Sequence, residues 1–453
     1  MKLLHVRQDA ALCACALALY ALPCLAQDAD QPWPGMVRPI DGLFGDMGGL
    51  RSTLARQGFT FQTGYMNEAA SNLAGGADSH NHYLSYGDEF HLMFQQDFER
   101  FGIADGAIEG LIVQRNGNDD LTTARLIDQR LKRVSEKAQE GLGPGSITRL
   151  GWLSWRQSFF DRRLLWRVGL LNKVQDFSQS NECDFQLLQL CGGRASSSVW
   201  PNWNVHFWGT VFKYRLTPQL TLKTAVYKGD ATYMNSNDGG FSTKSGGGGN
   251  TVPVELAWQT EFAGRKGQYE LGAVWSDMPL SERYRGKNGG AGWSDPDGYR
   301  LRGHSTYAYW GLQQDLTVRE RHSDPGVAWF LAGAVMDPRA FDIQSKLSTG
   351  VRVQGLFASR PQDKLGVGVT YLKGSRDWAR SNREQNTANQ ATDFDNPLHL
   401  PVNSFEVDTE VFYRFHLTPW LHVQPGIQYW HQPGGVQATA DAWVMELRTG
   451  LLF

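Results

Sequence analysis

The chain lacks any surplus of charge. Its 453 residues carry 44 Lys and Arg against 46 Asp and Glu, a formal net charge of −2. That balance argues against a nucleic-acid surface or an acidic binding tail. It also lacks long hydrophobic runs. One apolar stretch, Ala10 to Ala21, lies near the N-terminus, and after residue 26 none approaches the roughly 20 residues a membrane helix needs. Cysteine is scarce: of five, Cys13, Cys15 and Cys24 fall in the first 26 residues, leaving Cys183 and Cys191. Catalytic and cofactor signatures are missing too. The histidines are scattered, and His80 with His82 has no third ligand nearby, so neither a metal nor a cofactor is expected. Lys244-Ser245 is preceded by Thr243 where a phosphate loop needs Gly. No nucleophile–base spacing stands out, and an enzyme is not expected.

What is present begins with export. Lys2 and Arg7 precede the apolar run, and Cys24-Leu25-Ala26 precedes polar Gln27-Asp28. This is a basic, then apolar, then small-residue leader, with cleavage expected after Ala26. Pro23 before Cys24 argues against a lipoprotein. An isolated cysteine pair in an exported chain favours a disulfide closing the short loop Cys183–Cys191, since metal binding needs more ligands than are evident. The mature chain is then either a periplasmic protein or an outer-membrane barrel, and the face pattern of its strands decides between them.

That pattern is clearest at the C-terminus. Trp443, Met445, Leu447, Leu451 and Phe453 alternate with Glu446, Arg448 and Gly450, an apolar face backed by a charged one. The same alternation runs through 405–416, 254–262 and 347–357. A barrel in lipid requires an apolar outside and a polar lumen, and a terminal aromatic residue fits it. About sixteen segments qualify, near 59–66, 87–98, 106–116, 148–160, 163–172, 205–216, 219–229, 253–263, 267–276, 304–317, 325–336, 347–359, 363–373, 404–417, 420–430 and 441–453. Short connections such as Phe160-Asp161-Arg162-Arg163 and Leu417-Thr418-Pro419-Trp420 alternate with long ones around 117–147, 173–204, 230–252, 277–303 and 374–403. Short periplasmic turns and long external loops are the signature of an up-and-down barrel. The expected fold is therefore all-β: a single transmembrane antiparallel barrel over 59–453, preceded by a leader at 1–26 and a periplasmic segment at 27–58 whose residues 41–58 form a short helix.

One external loop shows a helical period. Ile127, Leu131, Val134 and Ala138 are spaced for one face of a helix over 121–140, which either folds into the mouth to narrow the pore or lies solvated on the surface.

Several of these segments resemble the carbohydrate-selective porins, the OprB family. Leu43-Phe44-Gly45-Asp46-Met47-Gly48-Gly49-Leu50-Arg51, with Leu54, Gly58 and Thr60, is similar to the family's N-terminal run, Met47 standing where the family has Trp. Tyr65 to Asn72 continues it, and Trp166-Arg167-Val168-Gly169 to Asp176-Phe177 resembles a mid-chain strand and loop. The most specific match is the final hairpin: Glu410, Tyr413-Arg414, Leu417 to Leu421, Val423-Gln424-Pro425, Ile427-Gln428-Tyr429 and Pro433-Gly434-Gly435. The resemblance implies a sixteen-stranded barrel with a sugar-permeable channel in the outer membrane.

A sugar channel needs side chains that donate and accept hydrogen bonds, plus flat apolar platforms, and it must hold its solute weakly enough to let go. Strand parity aims Glu109, Arg115, Arg167, Lys213, Lys223, Tyr227, Glu255, Gln259, Glu261, Arg352, Gln354, Glu406, Asp408, Glu410, Arg414, Glu446 and Arg448 at the lumen. Among these, Arg115, Arg167, Glu255, Arg352, Glu410, Glu446 and Arg448 are the candidate solute contacts, with Arg448 paired to Glu410 or Glu446. Arg115 stands out because it ends the third strand where the long loop begins. Trp155 and Trp203 are candidate platforms, or else girdle and loop packing. The bland alternative for each is that a wet lumen needs polar residues anyway. The expected function is passive diffusion of glucose and similar small sugars. The alternatives are a porin for another polar or acidic solute and, further off, a barrel hydrolase or adhesin. Sugars and outer-membrane lipid with lipopolysaccharide are the expected partners, and monomer versus homo-oligomer stays open.

Overall fold

A computed structural model of the chain describes residues 42–453 with Trp33, Gly35 and Val37, apart from 81, 119, 132–136, 140–144, 179–183, 188–189, 191–198, 200–202, 204, 230–238, 242–247 and 320–325. The expected leader and the Cys183–Cys191 disulfide fall outside the described residues.

Eighteen strands form among the described residues. They are β1 Phe59–Gly76, β2 Leu84–Asp97, β3 Ala107–Gly117, β4 Gly145–Phe159, β5 Leu164–Leu171, β6 Phe207–Arg215, β7 Leu220–Lys228, β8 Asn250–Phe262, β9 Arg265–Ser276, β10 Leu280–Gly286, β11 Tyr299–Arg302, β12 Ser305–Asp315, β13 Gly326–Met336, β14 Ile343–Gln354, β15 Lys364–Gly374, β16 Phe405–Thr418, β17 Leu421–His431 and β18 Ala440–Leu452. Sixteen of them pair with their neighbours around a closed barrel, and β10 with β11 makes a separate hairpin in the loop after β9. Closure pairs β1 with β18, placing Glu68 opposite Arg448, and leaves no edge open in the barrel. All sixteen expected segments are barrel strands.

The alternation decides which side is which. In β18 Trp443, Met445 and Leu447 are exposed while Val444, Glu446 and Arg448 are buried. In β8 Val254, Leu256 and Trp258 are exposed while Glu255 is buried. A soluble sandwich buries its apolar face and wets its charged one; here the apolar side chains point outward, as only lipid rewards. No helix among the described residues is long and apolar enough to cross a membrane, so the crossing is made by strands.

Ahead of the barrel, α1 (Leu50–Arg56) lies at the short-turn end. Leu43 N donates to Leu452 O at 2.9 Å, Phe44 stacks on Phe453 at 5.8 Å, and Arg51 donates to the carbonyls of Phe61 and Phe453. The terminal aromatic residue is thus clamped at the end of the closing strand.

Candidate functional site

Two external loops fold into the barrel. The first joins β3 to β4. It opens with one widened turn, Thr122–Leu126, and Ile127 is already extended at φ −98° and ψ 154°. The continuous helix expected over 121–140 therefore does not form at 127–131, and 132–136 fall outside the described residues. Its apolar spacing has another cause. Leu121, Leu126 and Ala138 are buried against Ala70, Trp430, Ala442 and Val444 on the inner faces of β1, β17 and β18. Ile127 and Leu131 are buried as well, which also overturns the solvated-surface alternative. The backbone is tied to the wall by Ala77 N donating to Leu126 O at 3.0 Å and Gln428 Nε2 donating to Ala138 O at 2.8 Å. Burial of the apolar side chains, rather than a helical hydrogen-bond ladder, holds this segment.

The second loop leaves β5, and its described tip lies against β15–β18. Its tip, Asp184–Leu187, is gripped by the far wall. Glu410 accepts from Gln186 N at 2.7 Å and from Leu187 N at 2.6 Å. Arg448 donates to the carbonyls of Asp184 at 3.1 Å and Phe185 at 3.2 Å, and Gln424 Nε2 donates to Asp184 O at 2.8 Å. The Asp184 carboxylate pairs with Lys364 at 3.0 Å and with Arg414. Phe185 packs between Phe330 and Phe412, with centroids 5.5 and 5.0 Å away. Gly368 in β15 makes room: a Cβ there would stand 2.8 Å from Leu190 Cδ2 and 2.9 Å from the Phe185 ring. Buried backbone polar groups must find partners, and here the wall's charged side chains supply them.

At the root of this loop lies a dense ionic network. Arg167 pairs with Asp176 at 2.8 Å and Glu109 at 3.5 Å, and donates to Gln175 Oε1 at 2.9 Å and Ser154 Oγ at 3.1 Å. Lys213 reaches Asp176 at 2.8 Å. Glu255 accepts from Lys223 at 2.7 Å, Tyr309 OH at 2.6 Å and Ser178 N at 2.7 Å. Nearer the outer mouth, Arg115 pairs with Glu89 at 3.1 Å, which also accepts from Trp203 Nε1 at 3.0 Å. Trp203 meets Trp152 edge-on at 5.5 Å. A buried carboxylate needs at least one such partner to remain ionised.

These contacts sort the sequence-derived candidates. Arg115, Arg167, Glu255, Arg352, Glu410, Glu446 and Arg448 all lie on inner faces. Glu410, Arg448 and Arg414 are brought together by the loop tip, and Arg167 with Glu255 by the loop root. Arg352 is buried in the β14 wall, and Glu446 is held by Gln428. Trp155 is a correction. A bulge opposite Leu111 and Ile112 sets the parity of β4, so Trp152, Ser154 and Arg156 point inward and Trp155 outward with exposed Leu153. There Trp155 packs on Phe98 at 5.3 Å, at the short-turn rim. Trp203 packs on the inner side, beside Leu111, Val113 and Trp152. Arg448 also finds a hydrogen-bonded ionic partner in Glu68, at 2.7 Å. Gln259 and Glu261 have inward parity but sit exposed at the short-turn end of β8.

Sequence reasoning passed over Glu68, Glu89, Asp176, Asp184, Arg156, Lys364 and Trp152. Glu68 and Glu89 were legible in principle, since β1 and β2 alternate once their registers are extended. Asp176 and Asp184 lie in a loop, where no period announces which side chain turns inward.

Comparison with known proteins supports this architecture. The sequence profile of the carbohydrate-selective porin, OprB family, matches residues 81–453. The chain is 31% identical over 418 residues to Porin B of Pseudomonas aeruginosa, covering 91% of each. It is 32% identical to a putative porin, QuiX, of Acinetobacter baylyi, covering 91% of this chain and 93% of that one. The high-pH structure of OprB from Pseudomonas putida superposes with a TM-score of 0.87 at 28% identity, over 93% of this chain and all of that one.

Proposed function

Because the chain belongs to the carbohydrate-selective porin, OprB family, and is an outer-membrane sugar channel, we propose that its selectivity resides where the two inward-folded loops narrow the lumen, and that glucose and similar small sugars pass there without chemical change. One observation carries this reading: the tip of the second loop is bonded, backbone and side chain, to the wall opposite its root. A loop held at both ends across a barrel is a fixed crossbar, and a solute must pass beside it.

In this reading the candidate residues divide their labour. Arg167, Glu255, Glu410, Glu446, Arg352 and Arg448 position the crossbar and the wall behind it. Arg115, Arg156, Lys213 and Lys364 retain partial exposure inside the barrel and supply the donors that meet sugar hydroxyls. Trp203, edge-on to Trp152, offers an apolar platform for the C–H face of a pyranose. Guanidinium and ammonium groups only donate, so they bind hydroxyl oxygens without competing for the solute's own protons. The residues before 59 are taken as a periplasmic segment following a cleaved leader, with lipid and lipopolysaccharide around the barrel as monomer or homo-oligomer.

Single-channel conductance of the refolded protein in a planar bilayer tests the proposal. Saturable block by glucose, weakened in Arg115→Gln, is the expected result. Open channels indifferent to glucose remove the sugar site from the constriction.

A further inference from the structure

Resting on that reading, the lumen reveals a bias that composition hides. Nine ion pairs among the described residues are made by inward-facing strand residues, and in every one the cation is the more exposed partner, whereas Arg125 of the first loop and its Asp78 are about equally exposed. Arg115 is 12% exposed and its Glu89 2%; Lys213 is 12% and Asp176 0%; Lys364 is 21% and Asp184 9%. An inward side chain is wetted only through the lumen. The carboxylates therefore stand behind, against the wall and the loop backbone, and the guanidinium and ammonium groups stand in front.

The physical consequence follows from solvation. A buried carboxylate already held by two donors and set back behind its cation has little of its acceptor surface within reach of a passing solute. The cation before it carries more N–H donors than its carboxylate contact alone takes up, five on a guanidinium and three on an ammonium. A wall with balanced formal charge thus offers the solute a surface of donors at positive potential. Such a surface binds a carboxylate more strongly than a hydroxyl, since charge-assisted hydrogen bonds exceed neutral ones. Field lines in a narrow, low-dielectric passage concentrate the effect.

We propose that the constriction prefers hydroxylated carboxylic acids, the oxidised relatives of the small sugars, over the neutral sugars themselves. The hydroxyls use the donors and the platform that a neutral sugar uses, and the carboxylate uses the forward charge.

Three solutes of one size separate the possibilities: gluconate, glucose and glucosamine, which are anionic, neutral and cationic. Each is titrated against single-channel current at fixed ionic strength. The expected order of apparent affinity is gluconate, glucose, glucosamine, with gluconate ahead of glucose by about tenfold, the equivalent of one charge-assisted hydrogen bond. That gap shrinks as salt rises. Arg115→Gln, Lys213→Gln and Lys364→Met are the diagnostic variants, because each leaves its carboxylate a second partner: Trp203 for Glu89, Arg167 for Asp176 and Arg414 for Asp184. Each is expected to weaken gluconate more than glucose. Glucose binding as tightly as gluconate, or variants that weaken both alike, overturns the acid preference while leaving the sugar channel standing. A folded barrel that none of the three blocks overturns both.

Discussion

The external loops of this barrel fall into two groups that solve the same problem differently. The loops after β3 and β5 go inward, and those after β9 and β15 form a cap outside. Among the described residues the inner pair contain no regular secondary structure beyond short turns, yet they bury Leu121, Leu126, Phe185, Leu187 and Leu190 almost completely. The outer pair are regular: the β10–β11 hairpin and α2 (Arg376–Ala388). The helix buries only Ala379, Ser381, Asn382 and Asn386. It meets the hairpin through Tyr284 OH to Glu384 at 2.9 Å, Tyr299 OH to Ser381 Oγ at 3.0 Å, and Arg380 over the Tyr284 ring at 4.0 Å. A segment that satisfies its own backbone needs little from its neighbours. A segment that does not must borrow donors and acceptors, and the only place with enough of them is the charged inner wall.

If that contrast is right, breaking the inner contacts costs far more than breaking the outer ones. Arg448→Met heads the scale. It takes the Arg448 charge from fully buried Glu68, removes the donor to the Phe185 carbonyl and leaves Gln424 to hold the carbonyl of Asp184. A loss of about 3–5 kcal/mol is expected, read from denaturant unfolding of the refolded barrel, together with larger and noisier single-channel currents. Phe185→Ala follows, at about 3 kcal/mol, because it empties the site between Phe330 and Phe412. An unchanged conductance in that variant would show that the crossbar does not depend on its apolar anchor.

The outer cap responds less. Ser375, the N-cap of α2, accepts from Trp378 N at 3.2 Å. Ser375→Ala is expected to cost about 1 kcal/mol and to speed amide exchange in α2 without altering conductance. The gentlest perturbation is acid. Arg380, aided by Tyr284, holds Glu384 below the usual carboxylate range. Burial works to raise Asp337, but Arg339 and Arg302 outweigh it and hold that group low as well. Carboxyls with depressed folded values contribute stability that is present above an unfolded value near pH 4 and lost as pH falls through the folded one. Limited proteolysis should therefore cut the hairpin and α2 faster below about pH 4, and equal rates at pH 3 and pH 7 would remove these two groups from the account.

The same contrast explains what could be read in advance. Strands in lipid carry their own signature, because each residue meets either hydrocarbon or water, and all sixteen were legible on that ground. The second half of β1, Asn67–Gly76, was not read as strand, since Ala69, Ala70, Ser71 and Ala74 are too small to mark a face. Helix α2 escaped because RDWARSNREQNTA has no apolar stripe, although Ser375 and Asp377 mark its start. The period at 127–138 misled for the opposite reason: apolar residues that fill a lumen need no helix to space them. For the site, parity found the wall residues but not their partners. Glu68 and Arg448 are 380 residues apart, and only barrel closure makes them neighbours.

That distance has a consequence for biogenesis. Glu68 lies on the first strand, and its counter-ion arrives only with the last. Until β18 docks, the nascent sheet holds Glu68 without Arg448 and keeps an open edge, two penalties that vanish in the same step. Sealing of the cylinder is thereby coupled to the Glu68–Arg448 pairing, and a chain missing its final hairpin would lack both the seam and that pair, defects for proteolytic quality control to recognise.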